Sequence, residues 1–364
     1  MTGYRKLDYE KIKKFAEQVF TGAGVSAENS AEIVEVLLDS DLMGIESHGL
    51  QRLSMYCTSI RNGRVKPAAV PEIVRETPLS AVIDAHEAFG QVAGVMAMRM
   101  AMQKAKEHGV GLVVVNDSTH YGVAGYYARM AAKEGLLGIS MTNTEALVLP
   151  TFGKTPMLGT DPIALAMPAE PYPLSIDMAT CVVPAGKMEV YDKKNTPVPA
   201  GWFLDEDGNT CTDPSKFIAI RKNKTDGGLL PLGGEGKEHS GHKGYALGMI
   251  VELMTAILSG GYTSNNVRRV PNVERCCHMM MAIDYGMFRD KAEAEQQLSE
   301  YMQLIRDSNK ASGCDRIYTH GEQELARREE IRRTGLLVND KTFSELQQIA
   351  EEYHISTELL EVVG

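Results

Sequence analysis

Ser47, His48 and Arg52 stand within one short run, Gly44-Ile45-Glu46-Ser47-His48-Gly49-Leu50-Gln51-Arg52. An imidazole that titrates near neutrality can move a proton, and a guanidinium can hold a carboxylate through paired hydrogen bonds. Helical spacing precedes the run over 31–43 and resumes over 50–62. With Ser47 as N-cap of the second helix, His48 falls in its first turn and Arg52 lies one turn on, on the same face. Residue types alone also fit a capped surface helix whose His and Arg are solvated.

Three further stretches carry candidate chemistry. Asp117-Ser118-Thr119-His120-Tyr121-Gly122 follows the β-branched run 110–115 and precedes a helical segment. Ligands of open α/β sheets bind beyond the carboxyl ends of strands, and the next helix offers free N–H groups to an anion. An ordinary strand-to-helix turn with a half-buried His120 is the plainer alternative. Gly153-Lys154-Thr155 resembles the end of a phosphate-binding loop, but Val148 stands where that loop requires its first glycine. The segment through Thr160 can still present hydroxyl and amide donors. Gly241-His242-Lys243-Gly244-Tyr245 opens an apolar helix. There Lys243 suits a phosphate or ribose, or is simply solvated in a glycine-rich loop.

Other chemistries lack their signatures. There is no H-E-x-x-H, no zinc-spaced cysteine pair and no G-x-S-x-G. Gly22-x-Gly24-x-x-Ala27 matches a dinucleotide fingerprint only formally, because it follows a helix instead of a strand. No metal site is expected. The net charge of −10 argues against nucleic acid or an anionic membrane as partner. The opening residues show no apolar core of a signal peptide, and the longest apolar stretch, 246–258, is short and broken by Glu252. Six cysteines without a C-x-x-C point to free thiols in the cytoplasm.

These groups need a scaffold, and 364 residues at 43% hydrophobic suffice for two or three subdomains. Periodicity predicts helices over 9–20 and 26–38, a connector over 64–78, a strand over 80–84 and a buried helix over 90–108. Strands over 110–115, 136–142, 162–167 and 174–178 alternate with a helix over 124–134, which argues for an α/β core. A loop over 152–159, a short helix or irregular piece over 186–192 and a surface excursion over 197–214, with the sole tryptophan Trp202, follow. A helix over 245–258, a strand over 278–283 and charged helices over 290–309, 323–334 and 342–353 complete the chain. A helical segment 1–75 is expected to pack with a helical segment 290–364. Residues 76–289 form the α/β body, with a cofactor-binding region at about 120–260.

Several stretches together resemble one family: G-I-E-S-H-G-L-Q-R from Gly44, H-Y-G from His120, G-T-D-P-I-A from Gly159, D-M-A-T from Asp177 and G-H-K-G-Y-A-L from Gly241. V-E-L from Val251, G-W-F-L-D-E-D-G from Gly201 and L-L-P-L-G-G from Leu229 agree. Taken in order over about 5–340, the chain is similar to the malate/L-lactate dehydrogenase family, which also holds L-sulfolactate, ureidoglycolate and piperideine-2-carboxylate oxidoreductases. This is not the Rossmann-type malate dehydrogenase family. The resemblance implies a mixed seven-stranded sheet of the L-sulfolactate dehydrogenase-like type, an all-helical part made from both chain ends, and a homodimer.

The implied activity is NAD(P)-dependent interconversion of a 2-hydroxy acid, malate foremost or a lactate-like acid, with its 2-oxo acid. NADP stays open beside NAD, because neither an acidic ribose anchor nor a 2′-phosphate arginine is evident. Carried over by position, His48 matches the proton donor/acceptor, Ser47 its supporting hydroxyl and Arg52 the carboxylate grip. His120, Tyr121 and Gly122 match a cofactor-binding turn, His120 being the acid/base in some branches. Thr144 matches a cofactor contact and Thr160 a substrate contact. Met178, Ala179, Thr180, Lys243, His320, Gly321 and Glu322 match cofactor contacts.

Two positions depart from the pattern. Lys187 stands where the piperideine-2-carboxylate reductase branch has an Asp that completes a relay with Ser47 and His48, which makes a cyclic imine substrate a poorer fit than a hydroxy acid. Residues 235–240, E-G-K-E-H-S, form an insertion before the lysine helix. A same-family reductase of another 2-oxo acid, sugar acid or imine is the alternative. A small-molecule-binding protein or a metal hydrolase using the histidines is the alternative of another class.

Overall fold

The computed structural model describes residues 3–269 and 271–362. The chain opens with strand β1 (Tyr4–Leu7) and helices α1 (Tyr9–Gly22), α2 (Ala27–Leu42) and α3 (Leu53–Arg61). Strands β2 (Glu72–Glu76) and β3 (Ser80–Asp84), helix α4 (Gly90–His108), strand β4 (Val110–Ser118) and helix α5 (Ala124–Lys133) follow. Strands β5 (Leu137–Thr142), β6 (Ile163–Met167) and β7 (Leu174–Met178) lead to helix α6 (Ala185–Lys193). Next come strands β8 (Phe203–Leu204) and β9 (Thr210–Cys211), helix α7 (Pro214–Asn223), strand β10 (Gly228–Leu229) and helix α8 (Gly241–Glu252). Strand β11 (Cys276–Ile283), helices α9 (Lys291–Asp307) and α10 (Glu322–Thr334), strand β12 (Leu336–Asn339) and helix α11 (Asp340–Glu352) complete the order.

The main sheet has seven strands in the order β2-β3-β4-β11-β5-β6-β7. Only β3 and β4 run parallel; every other neighbouring pair is antiparallel. This is a mixed α/β sheet, as the resemblance implies. Small residues let α4 and α5 lie close to it. Ala93, Ala97 and Ala101 of α4 and Ala128 and Ala131 of α5 pack with Val113, Val115, Met280, Ala282 and Ala164 of the strands.

The two chain ends share a separate core. Leu7, Phe15, Phe20, Leu37 and Leu53 pack with Leu336, Phe343, Leu346 and Ile349, while Phe89, just before α4, and Val92 of α4 reach into the same cluster. Strands β1 and β12 pair antiparallel across it. A third cluster, around Phe203, Phe217, Met188 and Leu229, sits under α6, α7 and the small sheet β10-β8-β9. No helix among the described residues is long and apolar enough to cross a membrane.

Some expectations need correction. Ser47 does not cap a helix: 3₁₀ turns occupy Glu46–His48 and Leu50–Arg52, and the α-helix begins only at Leu53. The connector expected over 64–78 contains β2, an edge strand whose residues are all exposed, so no buried alternation marks it. The excursion over 197–214 contains β8 and β9, whose partner β10 is supplied from residues further on. The helix expected over 245–258 starts at Gly241 and widens into a π turn over Leu253–Ile257.

Leu346 is almost fully buried in the shared core. Leu346→Ala should lower the unfolding free energy by roughly 2–5 kcal/mol in urea titrations. A loss below about 0.5 kcal/mol would mean that α11 adds nothing to that core.

Candidate active site

The first wall of the site comes from the turn between α2 and α3. Asp41, buried near the end of α2, accepts a hydrogen bond from Leu50 N at 2.7 Å. Burial pushes its carboxyl well above the usual range, opposed by that bond. The carboxyl fills the space where a side chain on residue 49 would go: a Cβ there would lie 2.0 Å from Asp41 Oδ1, so Gly49 is required. The turn thus seated sets Ser47, His48 and Arg52. Ser47 Oγ lies 2.9 Å from His48 Nδ1. Arg52 Nε donates to the Ser47 carbonyl at 2.5 Å, and its Nη atoms have no hydrogen-bond partner among the described residues. Gly186, in the first turn of α6, faces this pair; a Cβ there would lie 3.9 Å from Arg52 Nη2.

The second wall is the turn after β4. His120 Nδ1 lies 2.8 Å from the Tyr56 hydroxyl of α3, which accepts from Gln91 Nε2 of α4 at 2.7 Å. With Gln91 Nε2 as the donor to it, the buried hydroxyl points its own proton at His120 Nδ1. A neutral His120 then carries its own proton on Nε2. The His48 and His120 rings stack with centroids 5.6 Å apart and planes 26° from parallel. Burial, then the Arg52 charge, pulls His48 down to about 4. Burial, then His48 and Arg52, pulls His120 well below the usual histidine value. Both rings are therefore neutral near pH 7.

The remaining wall is polar and charged. Thr160 N donates to Thr144 Oγ1 at 3.0 Å, and Thr144 N donates to the buried Asp161 at 3.3 Å. Arg221 of α7 binds Glu145 at 2.5 Å and Glu189 of α6 at 2.9 Å. Arg268 binds Glu145 at 3.2 Å and Glu274 at 2.6 Å. Burial opposes ionisation of Glu145, but Arg268 and Arg221 outweigh it and hold its carboxyl below the usual range. The cavity between these walls measures about 140 Å³.

His48, Arg52, His120, Tyr121, Gly122, Thr144 and Thr160 all line this one cavity, and Ser47 touches it through His48. Thr180 joins from behind, its N donating to the Thr160 carbonyl at 2.9 Å. Met178 ends β7 opposite Ile163, and Ala179 follows it. His320 and Gly321 line a different cavity of about 300 Å³, together with Ser175 and Asp177 of β7. Glu322 is buried and turned toward Arg316, with Thr319 N also donating to it. Lys243 is exposed in the first turn of α8 and lines neither cavity. Lys187 does not line the cavity; its Nζ lies 5.3 Å from the centre of the Trp202 ring. The insertion over 235–240 closes on itself, Gly241 N donating to the Gly236 carbonyl, and Glu235 accepts from Thr210 Oγ1 at 3.0 Å. Among the described residues no group of three His, Cys, Asp or Glu side chains is placed to hold a metal.

Tyr56, Gln91, Glu145, Asp161, Glu189, Arg221, Arg268 and Glu274 were not singled out by motif. Only Asp161 had a local signal, as part of G-T-D-P; the others lie far apart in sequence and meet only in the fold.

A family model described as malate/L-lactate dehydrogenase matches residues 7–347. The chain belongs to that family. It is an oxidoreductase acting on 2-hydroxy acids. A malate dehydrogenase of Pyrococcus horikoshii is 40% identical over 96% of this chain and 95% of that protein. An L-sulfolactate dehydrogenase of Methanocaldococcus jannaschii is 34% identical over 96% of this chain and 97% of that protein. The crystal structure of malate dehydrogenase from Entamoeba histolytica superposes with a TM-score of 0.94 at 34% identity, covering 97% of this chain and 99% of that one. The mixed sheet and the terminal helical core are therefore the family's fold.

His48 should titrate near pH 4 in nitrogen-resolved NMR, and Arg52→Gln should raise that midpoint by removing a cation; an unchanged midpoint would mean that Arg52 does not act on the ring. The same depression affects stability. His48 at about 4 and buried His278 at about 3 both lie below the unfolded value of 6.5. The unfolded chain binds more protons in that window, so the stabilisation is complete above about pH 6.5 and is lost as pH falls toward about 3 to 4. The urea midpoint of the protein relative to that of His48→Gln should fall between about pH 7 and pH 5, a comparison that cancels the opposite contribution of the buried Asp41 carboxyl.

Proposed function

We propose that the protein is an NAD-dependent malate dehydrogenase acting as a cytoplasmic homodimer. The observation that carries the catalytic part is one imidazole whose Nε2 has no partner among the described residues, beside one guanidinium with free Nη groups. The other charges of the cavity are tied up in ion pairs. Arg52 takes the substrate carboxylate, its two Nη atoms suiting a bidentate grip. His48 donates from Nδ1 to Ser47 and keeps Nε2 for the substrate hydroxyl. In oxidation Nε2 takes the hydroxyl proton; in reduction it returns that proton to the forming alkoxide. His120, protonated on Nε2, offers a donor and not a base, which favours His48 for the proton transfer. Thr144 and Thr160 orient substrate and cofactor from the opposite wall.

A bound nicotinamide cofactor supplies the hydride acceptor or donor. The residues present fit such a group. β7 runs from Ser175 and Asp177 in the second cavity toward Thr180 behind the first, a span of roughly 16 Å at strand rise, which suits an extended dinucleotide. Gly321 closes tightly on Ser175, where a Cβ would lie 2.7 Å from Ser175 Cβ. Met178, Ala179 and Thr180 would follow the cofactor along the strand, with His320 and Gly321 at its far end and Tyr121 and Gly122 at its near end. Asp177 and Glu324 line the second cavity, whereas its cation Arg129 is bound to Asp39. Carboxylates there favour the free ribose hydroxyls of NAD and repel a 2′-phosphate. Lys243 and Glu322 are the weakest cofactor assignments, since neither side chain lines either cavity.

Malate is supported by the 40% identity to a protein named malate dehydrogenase. The homodimer is supported by the exposed apolar stripe Met249, Ile250, Leu253 and Ile257 along α8 and its π turn. The cytoplasm is supported by six cysteines that are all free thiols.

A panel of 2-oxo acids with NADH and NADPH should give the highest kcat/KM for oxaloacetate with NADH. A cyclic imine or sugar acid about tenfold better than oxaloacetate would overturn the substrate; NADH binding without turnover would make this a binding protein. His48→Ala should cost about 10²–10⁴-fold in kcat. His120→Ala should act more on KM. Near-normal single-turnover NADH oxidation by His48→Ala would transfer the base role to His120.

A further inference from the structure

Behind the Glu145 bridge lies another cavity, of about 440 Å³. Glu145, Leu147, Arg221 and Arg268 line both it and the substrate cavity, so the ion-paired arginines form a partition between the two. None of the residues given a role in proton transfer, carboxylate binding or cofactor binding lines the far side.

The charges on that side do not balance. Lys224 Nζ donates to the Arg268 carbonyl at 2.6 Å, and Arg269 Nη1 donates to Asn266 Oδ1 at 3.2 Å. Neither cation has a carboxylate partner among the described residues. Arg268 Nε is buried with no hydrogen-bond partner among the described residues. Two carboxylates line the cavity, and both are engaged: Glu145 with the two partition arginines, Asp226 with Thr155 at 2.7 Å and Lys154 at 3.4 Å. An unpaired buried donor is costly to leave unmade. The floor is apolar, built from Leu147, Phe217 and Ile220. A cavity of this size with an apolar floor and a few convergent polar groups is what small organic ligands occupy.

We propose that this cavity binds a small organic anion, an apolar or aromatic body bearing a phosphate or carboxylate group, at a site separate from the substrate cavity. The anionic group meets Lys224 and Arg269, and the body covers Phe217 and Ile220. The inference requires neither malate nor NAD.

Calorimetry on the full chain with phenyl phosphate and, separately, phthalate tests it, the two probes distinguishing a phosphate from a carboxylate ligand. At least one probe should bind once per chain. Lys224→Ala with Arg269→Ala should weaken that binding by about tenfold or more, while turnover of the 2-hydroxy acid persists and reports an intact fold. Arg52→Ala, which disables the substrate cavity, should leave the binding unchanged. The proposal falls if neither probe binds, if Arg52→Ala weakens binding, or if the Lys224/Arg269 variant does not.

Discussion

The contact between the Tyr56 hydroxyl and His120, at 2.8 Å, is where the helical part of the molecule meets the sheet. Tyr56 belongs to the core made by the two chain ends, and His120 follows the last residues of a central strand. Phe89, just before α4, wedges beside Tyr56, ring centroids 5.9 Å apart, and Gln91 of α4 bonds the hydroxyl. These contacts bring His48 over His120. Val36 of α2, packed in the sheet core, and the Asp39–Arg129 ion pair join the same two parts elsewhere.

Charge is managed by pairing. Three arginines and three glutamates surround a small cavity, a dense set of charges for a partly buried place. Desolvated ions are costly unless each has a partner. Arg221 and Arg268 are pinned by Glu145, Glu189 and Glu274, which leaves Arg52 as the guanidinium available to a substrate. Its single bond, to the Ser47 carbonyl, orients it without neutralising it. Under the proposed function, it is the arginine without a carboxylate partner that receives the acid.

The identity of the imidazole's partner has a related effect. A carboxylate beside His48 would stabilise the imidazolium and raise its pKa. Ser47 is a neutral hydroxyl, and Lys187 is drawn away onto Trp202. Burial and the Arg52 charge thus keep His48 neutral near pH 7. His120 is kept neutral for the same reasons, which avoids two stacked cations.

The sequence by itself determined the α/β alternation, the long α4 and the strands after it, because apolar periodicity reports which face is buried. It also carried the family through short motifs, and with it His48, Arg52, His120, Thr144 and Thr160. It did not mark β2, whose exposed edge has no alternation, or β1 and β12, four-residue strands that exist only because the chain ends meet. It suggested a helix cap at Ser47, where the fold instead uses Asp41 to hold a 3₁₀ turn and gives the hydroxyl to His48. Tyr56, Gln91 and the Glu145–Arg221–Arg268 partition were decided by tertiary structure alone. Their partners come from different elements, and a hydrogen bond or ion pair depends on where side chains end up in space and not on their spacing along the chain. For Ser47, His48 and Arg52 the residue types are legible in the sequence; the charges and hydrogen-bond partners around them come from neighbouring elements that only the fold brings together.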